Sequence, residues 1–309
     1  MKEEYEVVKY KQSNLHVILV DLLYRTPHLH KDIEVSVVLE NEVDLICPTG
    51  TEHMEAGDFY VLDPFVSHEL SASRPCRILA LQIPLSYFRA YFPQIEVTEF
   101  TRHVFRAVQF PELCRVVRNH MLAIGGCFFT DDELTPLACA AHINELFLDL
   151  LTYCPYTIMT EQDRQKNYNR GKRMRRLIKY IDAHHEEKVL LSDFAAEEGL
   201  DLYYLSHSFK DYFGMSFQEY VMRVRCEHAS KLLLATNYSL LDISLRCGFS
   251  DPKYMKKGFL KQFGCTPREY REKYSPDMLS SHRPDTITNQ DIIDPALCRS
   301  ILKKYNYIL

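Results

Sequence analysis

The 309-residue sequence has no apolar run approaching the ~18 residues that cross a bilayer as a helix, which argues against a helical membrane span. No two of its ten cysteines stand at CxxC spacing, which argues against a zinc site built from them. Cys47, Cys76, Cys114, Cys127, Cys139, Cys154, Cys226, Cys247, Cys265 and Cys298 are scattered, mostly inside apolar segments. There a thiol acts as a small hydrophobe, so reduced cysteines are expected. The opening Met-Lys-Glu-Glu-Tyr mixes charges and has no apolar core of the signal-peptide kind. The expectation is a protein that stays in the cytoplasm, off the membrane. Nothing in the chain is low-complexity.

The hydrophobic fraction of 46% and charged fraction of 26% suit a globular chain with room for two or three domains. The formal charge of −5 is unevenly spread. Residues 1–169 carry 14 Lys+Arg against 24 Asp+Glu, whereas residues 170–275 carry 19 against 14. A basic module behind an acidic one hints at a nucleic-acid partner for the C-terminal part.

Short β-type segments dominate the first part: 16–24, 33–40, 43–47, 58–64 and 76–83. They are rich in Val, Ile, Leu and Tyr and divided by turn signals at Pro48-Thr49-Gly50 and Gly57-Asp58, which suggests an all-β sandwich or barrel. Residues 110–127 and 134–154 then show helical periodicity. The polar, aperiodic stretch 155–171 reads as a linker. From 172 to 274 the chain is helical and repeats itself: 191–220 aligns with 240–270, placing Asp193 on Asp242, Gly199 on Gly248, Phe209 on Phe259, Gly214 on Gly264 and Tyr220 on Tyr270. Two copies are too few for a solenoid and fit a duplicated small domain.

Each copy reads as a short helix, a Gly-containing turn and a second helix, with Ser192 an N-cap candidate in the first. That is the helix-turn-helix layout, whose second helix enters the major groove. Helix 202–212 packs Leu205 and Phe209 inward and leaves Tyr203, Tyr204, Ser206, His207 and Lys210 available. Helix 252–262 packs Met255 and Phe259 and displays Lys253, Tyr254, Lys256, Lys257 and Lys261. Hydroxyls and ammonium groups suit phosphates, and hydroxyls also meet base edges, so these ten are the DNA-binding candidates.

The same residues resemble the AraC-type transcriptional regulators. Arg225, Ala229, Leu232 and Leu233 match that family's linker helix. Gly248-Phe249-Ser250-Asp251, Tyr254, Phe259, Phe263-Gly264, Thr266-Pro267 and Tyr270-Arg271 match its second repeat. The resemblance covers about a third of the chain and implies two units gripping successive major grooves of double-stranded DNA. His207, Gly258 and Leu260 depart from the family pattern.

"PHLHKDIEV", 27–35, places His28, His30 and Glu34 at equal parity, and "DPFVSH", 63–68, supplies His68. The pattern resembles a cupin barrel, in whose enzymes three histidines and a carboxylate hold a metal. Asn41 stands where those enzymes carry Gly, and the Pro64-to-His68 spacing is one residue shorter. Both features resemble instead the sensor cupins of AraC-type regulators. Three readings of His28, His30, Glu34 and His68 stand: effector contacts, a hydrogen-bonded barrel mouth, or metal ligands.

The expected architecture is multi-domain. A cupin-like all-β barrel (1–83) is followed by a helical dimerisation segment (84–154), the linker, an all-α double helix-turn-helix domain (172–274) and an extension (275–309) in which Asp294-Pro295 opens a helix with Leu297, Ile301 and Tyr305 on one face. On 134–154, Leu137, Ala141, Glu145, Leu148 and Leu151 form a stripe that faces either a second subunit or its own barrel. The expected function is a non-enzymatic, effector-responsive DNA-binding regulator without cofactor, with sugars common effectors in the resembling family, and RNA polymerase and a second copy as further partners. The alternative is a cupin metalloenzyme with a helical appendage.

Overall fold

The computed structural model describes residues 15–130, 133–273 and 290–305. Its first half is an antiparallel sheet wrapped into a nearly closed barrel. Strands β1 (His16–His28), β2 (Ile33–Glu40), β3 (Glu42–Cys47), β4 (Gly50–Glu55), β5 (Phe59–Leu62) and β6 (His68–Ile83) follow in sequence. β6 pairs with β1 from His16↔Gln82 to His28↔His68, and with β2 and β3 along its other edge. β4, absent from the expected strands, pairs only with β3 and is largely exposed, so its sequence GTEHME carries no apolar alternation. Asn41, in the turn between β2 and β3, takes φ 65°, the left-handed conformation that Asn tolerates in place of Gly.

Alternation along the strands makes two cores. Val20, Leu22, Val38, Leu45, Tyr60 and Ile78 fill the inner face. Leu19, Val35, Val37, Phe59, Leu79 and Leu81 face a pair of helices on the outside. After the short strands β7 (Thr98–Phe100) and β8 (Val104–Phe105) come these helices, α1 (Pro111–Phe128) and α2 (Thr135–Tyr153). Val117, Met121 and Ile124 of α1, with Ile143, Leu146 and Leu150 of α2, cover the sheet. The α2 stripe points away from it, with Leu137 71% and Leu148 67% exposed; of the five stripe residues only Leu151 packs against the barrel core.

The stretch 155–171 is not a loop. After β9 (Tyr156–Ile158), which pairs with β7, helix α3 runs from Glu161 to His184. Thr160 caps it by accepting from the Asp163 N–H at 3.1 Å. The first turns of α3 are almost wholly exposed, which is why the segment shows no helical periodicity.

Two helix pairs follow, α4 (Leu191–Glu197) with α5 (Leu202–Phe213), and α7 (Leu240–Arg246) with α8 (Pro252–Phe263). Between them α6 (Phe217–Ala235) contributes to both cores, and α9 (Pro267–Lys273) closes the second. Gly199 and Gly248 adopt φ 64° and 77° at the two turns. Ser239 caps α7, but Ser192 lies inside α4, whose N-cap is Leu190 with no side-chain bond. Gly258 has a steric reason: a Cβ there would sit 2.5 Å from Cys226 Sγ on α6, so α8 approaches α6 too closely for any side chain.

The described part of the extension belongs to the barrel. β10 (Gln290–Ile292) pairs with β1, and α10 (Pro295–Leu302) lies on α1. Asp294 caps α10 as expected, but its buried residues are Cys298 and Leu302, with Leu297, Ile301 and Tyr305 only partly covered. All ten cysteines are free thiols.

Candidate nucleic-acid interface and sensing site

Helices α5 and α8 present the anticipated side chains. Leu205 and Phe209 of α5, and Met255 and Phe259 of α8, are buried. Tyr203, Tyr204, Ser206, His207 and Lys210 on α5, and Lys253, Tyr254, Lys256, Lys257 and Lys261 on α8, are all exposed. Some already have partners. His207 Nδ1 lies 2.9 Å from the Tyr203 carbonyl, and Arg173 of α3 donates to the Tyr204 hydroxyl at 3.4 Å. Lys261 bonds Glu219 at 2.7 Å, and that bond, with those from Ser216, holds the Glu219 carboxyl down to about 2. Lys256 and Lys257 make α8 the more basic of the two helices.

The four barrel residues also come together, though not along one regular strand. His28 ends β1, His30 lies in the following turn, Glu34 is in β2 and His68 begins β6. The His28 and His68 rings are 4.1 Å apart between centroids, and His30 Nε2 is 2.8 Å from Glu34 Oε2. Each histidine sets Nδ1 against a backbone carbonyl: His28 on Thr26 (2.9 Å), His30 on Asp32 (2.7 Å) and His68 on Val66 (3.1 Å). The Nε2 atoms of His30 and His68 lie with the Glu34 carboxylate in one small group.

Electrostatics divides the group. Burial, and next the neighbouring His68, push His28 well down, and burial takes His68 to about 4. Burial also opposes charge on His30 and Glu34, yet their mutual bond outweighs it: His30 is raised and Glu34 lowered. The cluster therefore favours charge on His30 and Glu34 and neutrality on His28 and His68. Glu34 also accepts from Ser36 (2.9 Å), Tyr60 (2.7 Å) and Gln82 (2.7 Å). The Glu34 carboxylate is thus heavily hydrogen-bonded, whereas buried His68 Nε2 has no hydrogen-bond partner among the described residues.

The segment carrying the histidines touches the helical half directly. Leu29, between His28 and His30, is buried with Met174 and Leu177 of α3 and Phe213 of α5. The Tyr220 hydroxyl of α6 donates to the Pro27 carbonyl at 2.6 Å. Buried Glu69, next to His68, accepts from Tyr24 at 2.9 Å and pairs with Arg223 of α6. The Tyr212 hydroxyl of α5 donates to the Phe65 carbonyl. Phe65 lies so close to α3 that a Cβ on Gly171 would be 2.3 Å from its Cγ.

A cavity of about 360 Å³ opens beside this contact, lined by Lys31, Asp32, Asp63, Arg164, Arg170 and Tyr212 among others. The four predicted residues do not line it; Lys31 and Asp32, from the same turn, do. Among the described residues, buried Asp63 Oδ1 and Arg170 Nε have no hydrogen-bond partner. Sequence reasoning missed Tyr24, Glu69, Arg170, Tyr212, Tyr220 and Arg223; Glu69, Tyr212, Tyr220 and Arg223 escape it because their partners lie in the other half of the chain. The one available signal was Glu69, an acid beside His68 at the start of an apolar segment.

A sequence profile described as a helix-turn-helix domain matches residues 194–273. The chain is similar to the transcriptional activator RhaR of Mannheimia succiniciproducens, 30% identical over 134 residues, covering 43% of this chain and 48% of that protein. It is also similar to the regulatory protein PocR of Salmonella typhimurium, 35% identical over 112 residues, 36% of each chain. It thus spans about half or less of these relatives. A solved transcriptional regulator with an AraC-type DNA-binding domain, from Chromobacterium violaceum, is 31% identical over 31% of this chain and 86% of its own, at a TM-score of 0.30. Residues 194–273, with their paired helix-turn-helix units, thus match a helix-turn-helix domain profile and lie in the part of the chain similar to transcription regulators.

Proposed function

We propose that the chain is a transcription regulator that binds double-stranded DNA through α5 and α8 and senses a small-molecule effector at the junction between barrel and helices. The observation that carries the first half is the pair of exposed helix faces built from Tyr203, Tyr204, Ser206, His207 and Lys210, and from Lys253, Tyr254, Lys256, Lys257 and Lys261, each on a buried Leu/Met–Phe anchor. Their hydroxyl and ammonium groups contact phosphates and base edges. Lys261 must leave Glu219 to take part.

The second half rests on the cavity, whose lining by Lys31, Asp32, Asp63, Arg164, Arg170 and Tyr212 suits a polar solute. The turn that carries His30 and contacts α3, α5 and α6 reaches the cavity through Lys31 and Asp32, which places an effector next to His28, His30, Glu34 and His68. An effector that fits better when the two halves are apart, or together, shifts DNA affinity by its own difference in affinity for the two arrangements. Barrel, α1–α2 pair and helix-turn-helix domain act as separate working units. The exposed α2 stripe serves dimerisation, which raises effective concentration at paired half-sites.

The test is selection of bound duplexes from a random double-stranded library by the full chain. The reading predicts enrichment of one site, or a pair of sites in phase on the helix. Failure to enrich any sequence would reject it.

A further inference from the structure

The α1–α2 pair gathers a second set of ligand-type side chains, far along the chain from the barrel cluster. His120 comes from α1. His142, Glu145 and Asp149 come from α2, at spacings of three and four residues that put them on one helix face. We propose that His120, His142 and Glu145 bind one divalent transition-metal ion of the zinc class, with Asp149 as the outer partner that orients His120.

The geometry is close to what such an ion needs. His142 Nδ1 is 3.3 Å and His120 Nδ1 3.7 Å from the same oxygen, Glu145 Oε2. One ligand atom from each of the three residues lies within 4.8 Å of the others. A tetrahedral zinc ion with nitrogen and oxygen ligands at ~2.0–2.1 Å spaces them roughly 3.4 Å apart. Both contacts are longer than the ~2.7–2.9 Å of a charge-assisted hydrogen bond and close to the spacing of two ligands on one ion. His120 Nε2 lies 3.0 Å from Asp149 Oδ2. A carboxylate on that nitrogen fixes the tautomer and leaves Nδ1 as the ligand, the usual outer arrangement around a metal-bound imidazole.

Two imidazoles and one carboxylate suit zinc, cobalt or nickel over calcium or magnesium, and leave a fourth position for water. Access is open, since Glu145 is exposed and both histidines are only half-buried. The barrel cluster differs on both counts, being buried and saturated around Glu34. An ion here clips α1 to α2 beside exposed Leu148.

The experiment is a cobalt(II) titration of the full chain, freed of metal, read by visible absorption and reversed with zinc. His120→Ala and His142→Ala are each expected to remove one equivalent of the tetrahedral cobalt signal. Asp149→Asn is expected to weaken binding at least tenfold, and zinc to raise the melting temperature of the parent but not of His142→Ala. Both histidines lie on the helix surface, and melting of the metal-free variants checks that they fold. A parent that binds no cobalt, or a stoichiometry unchanged by His142→Ala, would overturn the proposal.

Discussion

At the scale of single residues, His28, His30 and His68 were legible as a group, but their division into charged and neutral members was not. Equal parity in the sequence said only that side chains meet. Which imidazole takes the proton depends on Glu34, and on burial by helices some 150 residues later. The consequence is a pH dependence with a definite sign. Unfolded histidines titrate near 6.5. Folded His28 is depressed, and folded His68 lies at about 4. Their contribution is complete above about pH 6.5 and is lost as pH falls toward 4, where the unfolded chain binds more protons. His30, raised by Glu34, runs the other way: it stabilises below 6.5 and fades as pH rises through its folded value. His28 and His68 each lower stability at pH 5 relative to pH 7.5, a gap that urea unfolding measures. His68→Asn should narrow that gap by roughly 2 kcal/mol; an unchanged gap would show that His68 is not buried neutral.

Gly258 stands inside α8, where a glycine ordinarily costs ~1 kcal/mol relative to Ala. Its cause, Cys226 across the α6–α8 contact, could not be read from spacing alone. Gly258→Ala should lower stability by about 1–3 kcal/mol through overpacking, despite the gain in helix propensity. Adding Cys226→Ala, which removes the clashing sulfur, should recover part of that loss in thermal melts.

At the scale of elements, periodicity identified α1, α2, α5 and α8 because each buries one face and wets the other. It failed at α3 and β4, whose residues are largely exposed over the misread stretches, and it left the docking of α10 undecided. The α2 stripe was ambiguous in sequence because an apolar face does not name its partner. The barrel core takes Ile143, Leu146, Phe147 and Leu150 instead. Leu148→Glu should therefore leave the melting temperature nearly unchanged while shifting the protein toward monomer in sedimentation velocity. A large loss of stability would mean that Leu148 is covered within its own chain.

At the scale of the whole molecule, the histidine-bearing turn and the linker helix meet through Pro27–Tyr220 and Glu69–Arg223. Of the four partners only Glu69, an acid beside His68, carries any signal in the sequence. Arg223→Ala leaves Glu69 buried without its cation, an arrangement that carries a penalty of several kcal/mol unless the carboxyl protonates or the halves part. Limited proteolysis should show cleavage between the two halves much faster in this variant than in the parent, with each half still folded. Equal cleavage rates would separate the two halves energetically.

The central claim is that α5 and α8 form a DNA-binding surface in which α8 supplies much of the phosphate contact. Its most direct measurement is the affinity of the full chain for its selected duplex across a salt series. The account predicts that log K falls linearly and steeply with log salt concentration. It also predicts that Lys256→Ala with Lys257→Ala makes the slope shallower by about 2, since each lost phosphate contact removes ~0.9. A salt-independent affinity, or a slope unchanged by the two substitutions, would contradict it.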